Sequence, residues 1–122
     1  MERRQTILVI KKYYDPGNSF TDNLEKSGYH TMSLSNHSEI LDVLVQTPVD
    51  MIIIGITTTV EFCESLMRQL RKRNISVPII AVSAFPDIRG KQALMDLGLK
   101  DWISRPFDME YVRQRVAELL CP

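Results

Sequence analysis

The stretch Val49-Asp50-Met51-Ile52-Ile53-Ile54-Gly55 decides the fold of this chain. Its four consecutive large apolar residues, Met51 to Ile54, do not suit a strand with one wet face. They predict a strand that helices cover on both sides, as at the centre of a parallel sheet. In open parallel sheets the functional site lies outside the carboxyl ends of the strands. We therefore expect the residue that leaves this strand, Gly55, in the site, although it has no side chain for chemistry.

Strand and helix patterns alternate through the rest of the chain. Apolar or β-branched runs predict four further strands, at residues 6–10, 29–34, 78–82 and 101–104, and the second is polar enough for an edge. Apolar residues at helical spacing lie between them, and Asp108 is the expected N-cap of the last helix. Five such units with right-handed crossovers predict an α/β fold, a flavodoxin-like (βα)5 doubly wound parallel sheet with strand order 2-1-3-4-5.

The helix before the fifth strand contains a glycine. The pattern predicts that this helix has Pro86 in its first turn and ends at Gly98, with Gly90 in its interior. A glycine inside a helix costs about 1 kcal/mol relative to alanine. We therefore expect it to be the least stable helix of the protein.

Length and charge narrow the classes of function. A chain of 122 residues suits one compact domain, 1–122. Fifteen Lys and Arg residues balance fifteen Asp and Glu residues, so the charge does not favour binding to nucleic acid or membranes. Cys63 and Cys121 lack the spacing of a metal site and are expected to be free thiols, which indicates a cytoplasmic protein.

Four segments resemble the receiver domain of two-component response regulators. The stretch at 49–54 is similar to the family's third strand, and 66–71 to its leucine pair and Leu-Arg. Residues 78–84 are similar to its fourth strand with a small hydroxyl residue. Residues 93–107 resemble the run that ends in Lys-Pro-Phe. This last resemblance is the most specific, because spacing and residue types agree throughout. Together the segments cover nearly the whole chain.

The resemblance implies phosphoryl transfer from a histidine kinase to one aspartate, but the residues required for it are largely replaced. Gly55 stands at the position of the phosphoacceptor aspartate, and Arg105 stands at the position of the family's lysine. Lys11 and Lys12 stand at the positions of the acidic pair that helps to hold a divalent metal. Only Ser83 matches the family, at its hydroxyl position. Mg²⁺ prefers carboxylate oxygens. Two like unit charges 4 Å apart repel by about 4 kcal/mol at an effective dielectric of 20. We predict no aspartyl phosphorylation, no metal and no cofactor.

The same positions leave two interpretations open. Lys11, Lys12, Ser83 and Arg105 are expected to converge at the carboxyl edge of the sheet, where they can form a small site for phosphate, sulfate or a partner's carboxylate. Alternatively, the lysines point to solvent, or one replaces the lost metal as a fixed counter-charge. The resemblance also implies a cis bond before Pro106, which costs an X-Pro bond only about 0.5–1 kcal/mol.

Three residues predict an interaction face formed by the fourth helix, the fifth strand and the fifth helix. Trp102 stands where the family has an aromatic residue that moves between inward and outward positions, and its size suits an interface anchor. Tyr111 and Arg115 lie four apart on the last helix and are expected to share that face. The alternatives are a tryptophan packed over the last sheet edge and a solvated helix face.

The prediction is therefore a degenerate receiver that is not an enzyme and is not phosphorylated on aspartate. It acts as a protein-interaction or dimerisation module and makes no direct contact with nucleic acid or membrane. We expect it to be the N-terminal part of a longer regulator, with a standalone adaptor as the other option. The alternative function is a ligand-sensing or enzymatic flavodoxin-like domain that binds a small anion at Lys11, Lys12 and Arg105.

Overall fold

Strands and helices alternate through the described part of the chain. The structure is a computed structural model that describes residues 4–10, 19–34, 39–56, 60–83, 87–105 and 107–120. The elements are β1 (Thr6–Ile10), α1 (Ser19–Lys26), β2 (His30–Leu34), α2 (Ile40–Gln46), β3 (Met51–Ile56), α3 (Glu61–Lys72), β4 (Ile79–Ser83), α4 (Ile88–Asp96), β5 (Asp101–Ser104) and α5 (Met109–Leu120). No helix within these ranges is long and apolar enough to cross a membrane.

The strands form one parallel sheet with β3 at its centre. The strand order is β2-β1-β3-β4-β5, so the predicted order is confirmed. β3 pairs with β1 through Ile7 and Met51 and with β4 through Ile52 and Ile79. The side chains of Met51 to Ile54 are at most 1% exposed. The apolar run therefore forms the doubly covered strand that its composition predicts.

Alternate residues of the strands face two separate apolar layers. Ile52 and Ile54 of β3 pack with residues of α2, α3 and α4. Met51 and Ile53 point the other way and pack with residues of α1 and α5. Because successive side chains of a strand point to opposite faces, one short run contributes to both layers.

Three predicted strand boundaries differ from the structure, and one of them is that of β4, which is predicted at 78–82 and spans Ile79–Ser83. The strand predicted at 29–34 begins at His30, and it contains no buried residue, which agrees with its position at the sheet edge. β3 does not end before Gly55: it continues to Ile56, and Gly55 pairs with Val82 of β4. Gly55 is thus a member of the ladder near the carboxyl end of β3 and not the first residue beyond it.

The start of α4 corrects the prediction for this helix. It begins at Ile88, and Asp87 is its N-cap, whose Oδ1 accepts the Gly90 N–H at 2.9 Å. The predicted start with Pro86 in the first turn is therefore wrong, because Asp87 is in extended conformation and caps the helix by accepting one of its free N–H groups, that of Gly90. Pro86 itself lies outside the described residues.

Gly90 has a packing role that the sequence pattern does not reveal. A Cβ at this position would lie 2.6 Å from Asp87 Oδ2 and 2.7 Å from Val60 Cγ1. The glycine therefore lets α4 approach the residue that precedes α3, and it leaves the N-cap carboxylate in place. The low stability of α4 relative to the other helices stays a prediction. Gly90 has a low helix propensity, but it allows a close approach to Asp87 and Val60 that an alanine side chain would block.

The last helix begins as predicted. Asp108 Oδ1 accepts the Glu110 N–H at 2.9 Å, which confirms Asp108 as the cap of α5. Val112 and Val116 are fully buried against the sheet. On the α1 side, Arg113 Nη1 donates to Asn23 Oδ1 at 3.1 Å. The two helices on this layer are thus joined to each other as well as to the strands.

We expect Gly90→Ala to destabilise the protein by about 1 kcal/mol or more. The gain of about 1 kcal/mol in helix propensity is outweighed by overpacking, which costs about 1–3 kcal/mol, and by displacement of the Asp87 cap. Urea unfolding followed by circular dichroism measures the change. Gln92→Ala, at an exposed position of the same helix, is the control and should change stability little. A Gly90→Ala variant more stable than the parent would contradict the close contact.

Candidate functional site

Parallel register brings the predicted site residues to one edge of the sheet. Gly55 lies opposite Val82, and Ser83 lies opposite Ser104. The Arg105 N–H donates to the Ser83 carbonyl oxygen at 3.0 Å. The structure therefore brings Gly55, Ser83 and Arg105 to the same carboxyl edge. Lys11, Lys12 and Pro106 lie outside the described residues, so the convergence of the lysines and the cis bond stay predictions.

Gly55 lacks a side chain at a place where the backbone would accept one. Its φ is not in the positive range that favours glycine, and a Cβ built on it would meet one atom, the Ile10 carbonyl oxygen, at 3.6 Å. That distance is an ordinary van der Waals contact. The position is partly exposed. The strand thus has a geometry that could carry an aspartate, and the sequence does not supply one.

The two described members of the predicted anion site differ in access. Ser83 has no exposed surface. Arg105 is exposed, and no carboxylate in the described residues forms an ion pair with its guanidinium. An anion in solvent can therefore reach Arg105 but not the Ser83 side chain in this conformation. The structure brings the two residues together along the backbone without making them one open pocket.

Other described side chains that could bind a metal ion or act as a nucleophile are poorly suited to these roles. Among the described residues, no group of three or more His, Cys, Asp or Glu side chains is arranged to hold a metal ion. Cys63 is a free cysteine in the apolar layer, and burial together with the neighbouring Glu64 charge raises its pKa to about 12. A thiol with this pKa stays protonated at neutral pH and is a poor nucleophile.

Trp102 is a core residue and not an exposed anchor. It is 7% exposed and packs among the residues of α2, α3 and α4, and its Nε1–H donates to Ser104 Oγ at 2.9 Å. Strand alternation explains the placement, because Ile103 faces α5 and its neighbour must therefore face α4. Trp102 is therefore not exposed beside Tyr111 and Arg115, and the interaction face predicted from these three residues stays a prediction. Its packed alternative matches the structure.

Tyr111 and Arg115 meet at a carboxylate that the sequence reasoning missed. Asp101 Oδ2 accepts the Tyr111 hydroxyl at 3.2 Å and the Arg115 Nε–H at 2.7 Å. Arg115 Nη1 also donates to Glu118 Oε2 at 2.7 Å. The Arg115–Glu118 pair was detectable from its i,i+3 spacing. Asp101 was not, because its partners reach it only after α5 folds back beside β5.

The negative charge of Asp101 is the main cause of a raised pKa for the Tyr111 hydroxyl, followed by slight burial and the hydrogen bond. The hydrogen bonds and ion pairs of Asp101 and Glu118 likewise raise the pKa of Arg115. Tyr111 therefore stays protonated, and Arg115 stays charged, at physiological pH. The network holds α5 against β5.

Large apolar side chains are exposed on α4 and α5. Ile88 and Met95 of α4 are 84% and 39% exposed, and Tyr111 is 46% exposed. Ile88 and Met95 were missed, although their spacing of seven places them on a helix face that Leu94 does not share. We call this surface the α4–β5–α5 edge, and its residues are Ile88, Lys91, Met95, Lys100, Asp101, Arg105, Tyr111, Arg115 and Glu118. One more large apolar residue is exposed in the described part of the chain, Val45 of α2, which is 71% exposed.

Comparisons with known proteins agree on one family. The family model of the response regulator receiver domain matches residues 7–117. The chain is 26% identical over 114 residues to an uncharacterized transcriptional regulatory protein, YkoG, of Bacillus subtilis, covering 93% of this chain and 50% of YkoG. It is 28% identical over 102 residues to the alkaline phosphatase synthesis transcriptional regulatory protein PhoP of the same organism, covering 80% of this chain and 41% of PhoP.

A solved structure gives the same result for the fold. A response regulator from Thermotoga maritima superposes with a TM-score of 0.84 at 21% identity, covering 98% of this chain and all of the other. At this identity the similarity concerns the fold alone. The chain spans about half the length, or less, of the two Bacillus relatives that it matches.

We expect Gly55→Ala to leave the protein folded and to stabilise it by up to about 0.5–1 kcal/mol. Alanine restricts the unfolded chain more than glycine does, and the added Cβ makes only an ordinary contact. Thermal unfolding of the two proteins tests this. A clear loss of stability would mean that the backbone at Gly55 requires glycine.

We expect Trp102→Ala to destabilise the protein by about 3–5 kcal/mol, the usual range for removing a buried large aromatic side chain. Tyr111→Ala, on the exposed side of the edge, is the comparison and should cost about 1 kcal/mol or less. Urea unfolding measures both. Equal midpoints for the Trp102 variant and the parent would contradict the burial of Trp102.

Proposed function

Because the chain belongs to the response regulator receiver domain family, we propose that it is a signalling receiver that works without aspartyl phosphorylation, as a protein-interaction module. The observation that supports the proposal most directly is the glycine at position 55, near the carboxyl end of β3. The strand position at the carboxyl edge has the backbone of a receiver and no carboxylate. An aspartyl phosphate needs that carboxylate as the nucleophile.

Neighbouring described groups give little support for a substitute nucleophile. Ser83 is enclosed by protein, and Cys63 is a buried thiol whose pKa is about 12. Lys11 and Lys12, which stand where the resemblance implies a metal-binding acidic pair, are cationic. Ammonium groups do not serve as ligands of a hard divalent cation. The residue types therefore support a site that lacks both the phosphoryl acceptor and the metal.

If the domain binds no phosphoryl group, either another ligand controls its conformation or its conformation is not controlled. A ligand changes a conformational equilibrium only through different affinities for the two states. The packed Trp102 side chain and the Asp101 network support one dominant arrangement of β5 and α5. We propose that the α4–β5–α5 edge is a standing interface whose availability does not depend on a kinase, and that the domain is not an enzyme.

The wider context of the domain follows from its relatives. YkoG and PhoP are described as transcriptional regulatory proteins, and this chain matches about half of each or less. We propose that the domain is the N-terminal part of a cytoplasmic regulator. In that arrangement the receiver contacts protein partners and leaves contact with DNA to another part of the molecule.

Incubation with acetyl phosphate and Mg²⁺ should leave the intact mass of the protein unchanged, because no carboxylate stands at the acceptor position. Intact-protein mass spectrometry is the measurement, and a receiver that retains the aspartate provides the positive control under the same conditions. A stable increase by one phosphoryl group on any residue would disprove phosphorylation independence. Beryllofluoride should likewise cause no change in the protein's amide NMR spectrum.

A further inference from the structure

The outer side of β2 presents main-chain groups that β1 does not use. β2 is the outermost strand of the sheet, and within the described ranges it pairs with β1 alone. The His30 N–H donates to the Gln5 carbonyl oxygen at 2.9 Å, so His30 and every second residue after it direct their main-chain groups to β1. The N–H and C=O groups of the residues between them, Thr31 and Ser33, therefore point outward. We call this outward side the β2 edge.

The residues of β2 include none of the usual devices that keep a further strand away. Natural edge strands carry charged side chains, prolines or bulges that prevent pairing. The five residues of β2 have the sequence His-Thr-Met-Ser-Leu, without a carboxylate, a lysine, an arginine or a proline. At the other edge of the sheet, Asp101 Oδ1 accepts the Trp102 N–H at 2.8 Å, and Arg115 pairs with the same carboxylate. Charged groups therefore lie along β5, whereas β2 itself carries none.

We propose that β2 pairs with β2 of a second copy of this chain, antiparallel and around a two-fold axis between the two Met32 residues. The pairing joins the two five-stranded sheets into one. The inference goes beyond the proposed function and does not rest on it, because it concerns the opposite edge of the sheet. A dimer of this kind leaves the α4–β5–α5 edge free for another protein.

The register centred on Met32 uses all of the outward main-chain groups. It places Thr31 of one copy directly opposite Ser33 of the other, and both residues direct their N–H and C=O groups across the edge. Two such residues in an antiparallel pair exchange both N–H···O bonds. The two-fold axis repeats the exchange between Ser33 of the first copy and Thr31 of the second. Each copy thus gives the other what its own edge lacks.

Main-chain contacts next to β2 favour this register over a shifted one. A two-fold axis at Thr31 would place Ser33 opposite Tyr29 of the other copy. The Tyr29 N–H already donates to the Leu24 carbonyl oxygen at 3.3 Å, and the Tyr29 carbonyl oxygen accepts from Arg4 Nη2 at 2.8 Å. Ser33 would then meet main-chain groups that have other partners. The register centred on Met32 avoids this conflict.

The side chains on the two faces of the paired strands also match. Met32 packs on the layer of α2 and is partly exposed, and in the dimer it meets its own copy at about 4.5 Å between Cα atoms. On the other face, Thr31 Oγ1 donates to Glu25 Oε1 at 2.8 Å. The exposed Ser33 hydroxyl of the second copy comes beside this pair, and opposed Thr and Ser residues stabilise a sheet. A strand of unrelated sequence offers the main-chain groups without these side-chain pairs, so a second copy fits the edge better.

Charge does not oppose the pairing. The chain has no net charge, so two copies approach each other without long-range repulsion. The nearest like charges are the two Glu25 carboxylates, each held by its own Thr31. In the proposed register the two Thr31 residues are offset by two residues and one strand spacing, about 8 Å in all. This is about one Debye length at physiological ionic strength, so the repulsion is largely screened.

Hydrogen exchange of the intact protein tests the pairing directly. One short strand pair is smaller than the about 1,200 Å² of a stable interface, so we expect a weak dimer and compare about 50 μM with about 1 mM protein. Amide exchange followed by NMR should slow by about threefold or more at Thr31 and Ser33 at the higher concentration. The amides of His30, Met32 and Leu34, which are directed to β1, should change little.

A proline variant tests the same contact by sedimentation equilibrium. Ser33→Pro removes an outward N–H that β1 does not use, and proline is tolerated at such positions of edge strands. It should weaken the association by about tenfold or more, because a donor is lost and its acceptor is left unpaired. Ser33→Ala keeps the N–H and is the matched control, which should change the association by less than about threefold. Thermal unfolding checks that both variants are folded, and the exchange pattern of the parent decides the test if Ser33→Pro is not.

Several results would overturn the inference. They are unchanged exchange at Thr31 and Ser33 at the higher concentration, equal slowing at all residues of β2, and full association of folded Ser33→Pro. An alternating threonine–valine peptide that slows exchange at Thr31 and Ser33, while the protein stays monomeric, would make a foreign strand the occupant. A dimer that Ile88→Ser disrupts and Ser33→Pro does not would place the contact at the α4–β5–α5 edge, which overturns the inference and leaves the proposed function intact.

Discussion

The burial of β3 on both faces is the constraint on which the rest of the structure depends. Met51 and Ile53 pack with α1 and α5, while Ile52 and Ile54 pack with α2, α3 and α4. Each such side chain stabilises the fold by about 1.5–3 kcal/mol when fully buried. Because β3 also pairs with β1 and β4, it joins both layers and both halves of the sheet. The carboxyl ends of the strands, and hence the candidate site, take their positions from this central strand.

That framework is kept in this receiver with a glycine, Gly55, near the carboxyl end of its central strand. The backbone at Gly55 tolerates a Cβ, and the Arg105 N–H is hydrogen-bonded to the Ser83 carbonyl oxygen beside it. Nothing in the described part of this edge requires the absence of an aspartate. The core therefore does not depend on the chemistry at the site, because β3 is stabilised by apolar burial and ladder hydrogen bonds.

The α4–β5–α5 edge has packed residues beneath it and, at its surface, cationic side chains that form no ion pair with a described carboxylate. Trp102 is packed beneath it, and Arg115 joins Asp101 and Glu118 across it. Surface ion pairs contribute little to stability. The pairs of Arg115 with Asp101 and Glu118 also neutralise the negative charge of these two carboxylates. Lys91, Lys100 and Arg105 remain available, and they lie on the same surface as Ile88 and Met95.

The sequence by itself determined the fold and the residue type at the end of the central strand. The run from Met51 to Ile54 indicates a doubly buried strand because four consecutive large apolar residues do not suit a strand with one wet face. The residue type at Gly55 excludes a carboxylate side chain at this position in any conformation. Tertiary structure decided which residues are exposed. Trp102 has the size of an interface anchor, but strand alternation places it under α4, and Asp101 meets Tyr111 and Arg115 only when α5 packs beside β5. Local pattern specifies which residues share a face of one element, whereas exposure and pairing depend on the elements that pack against it.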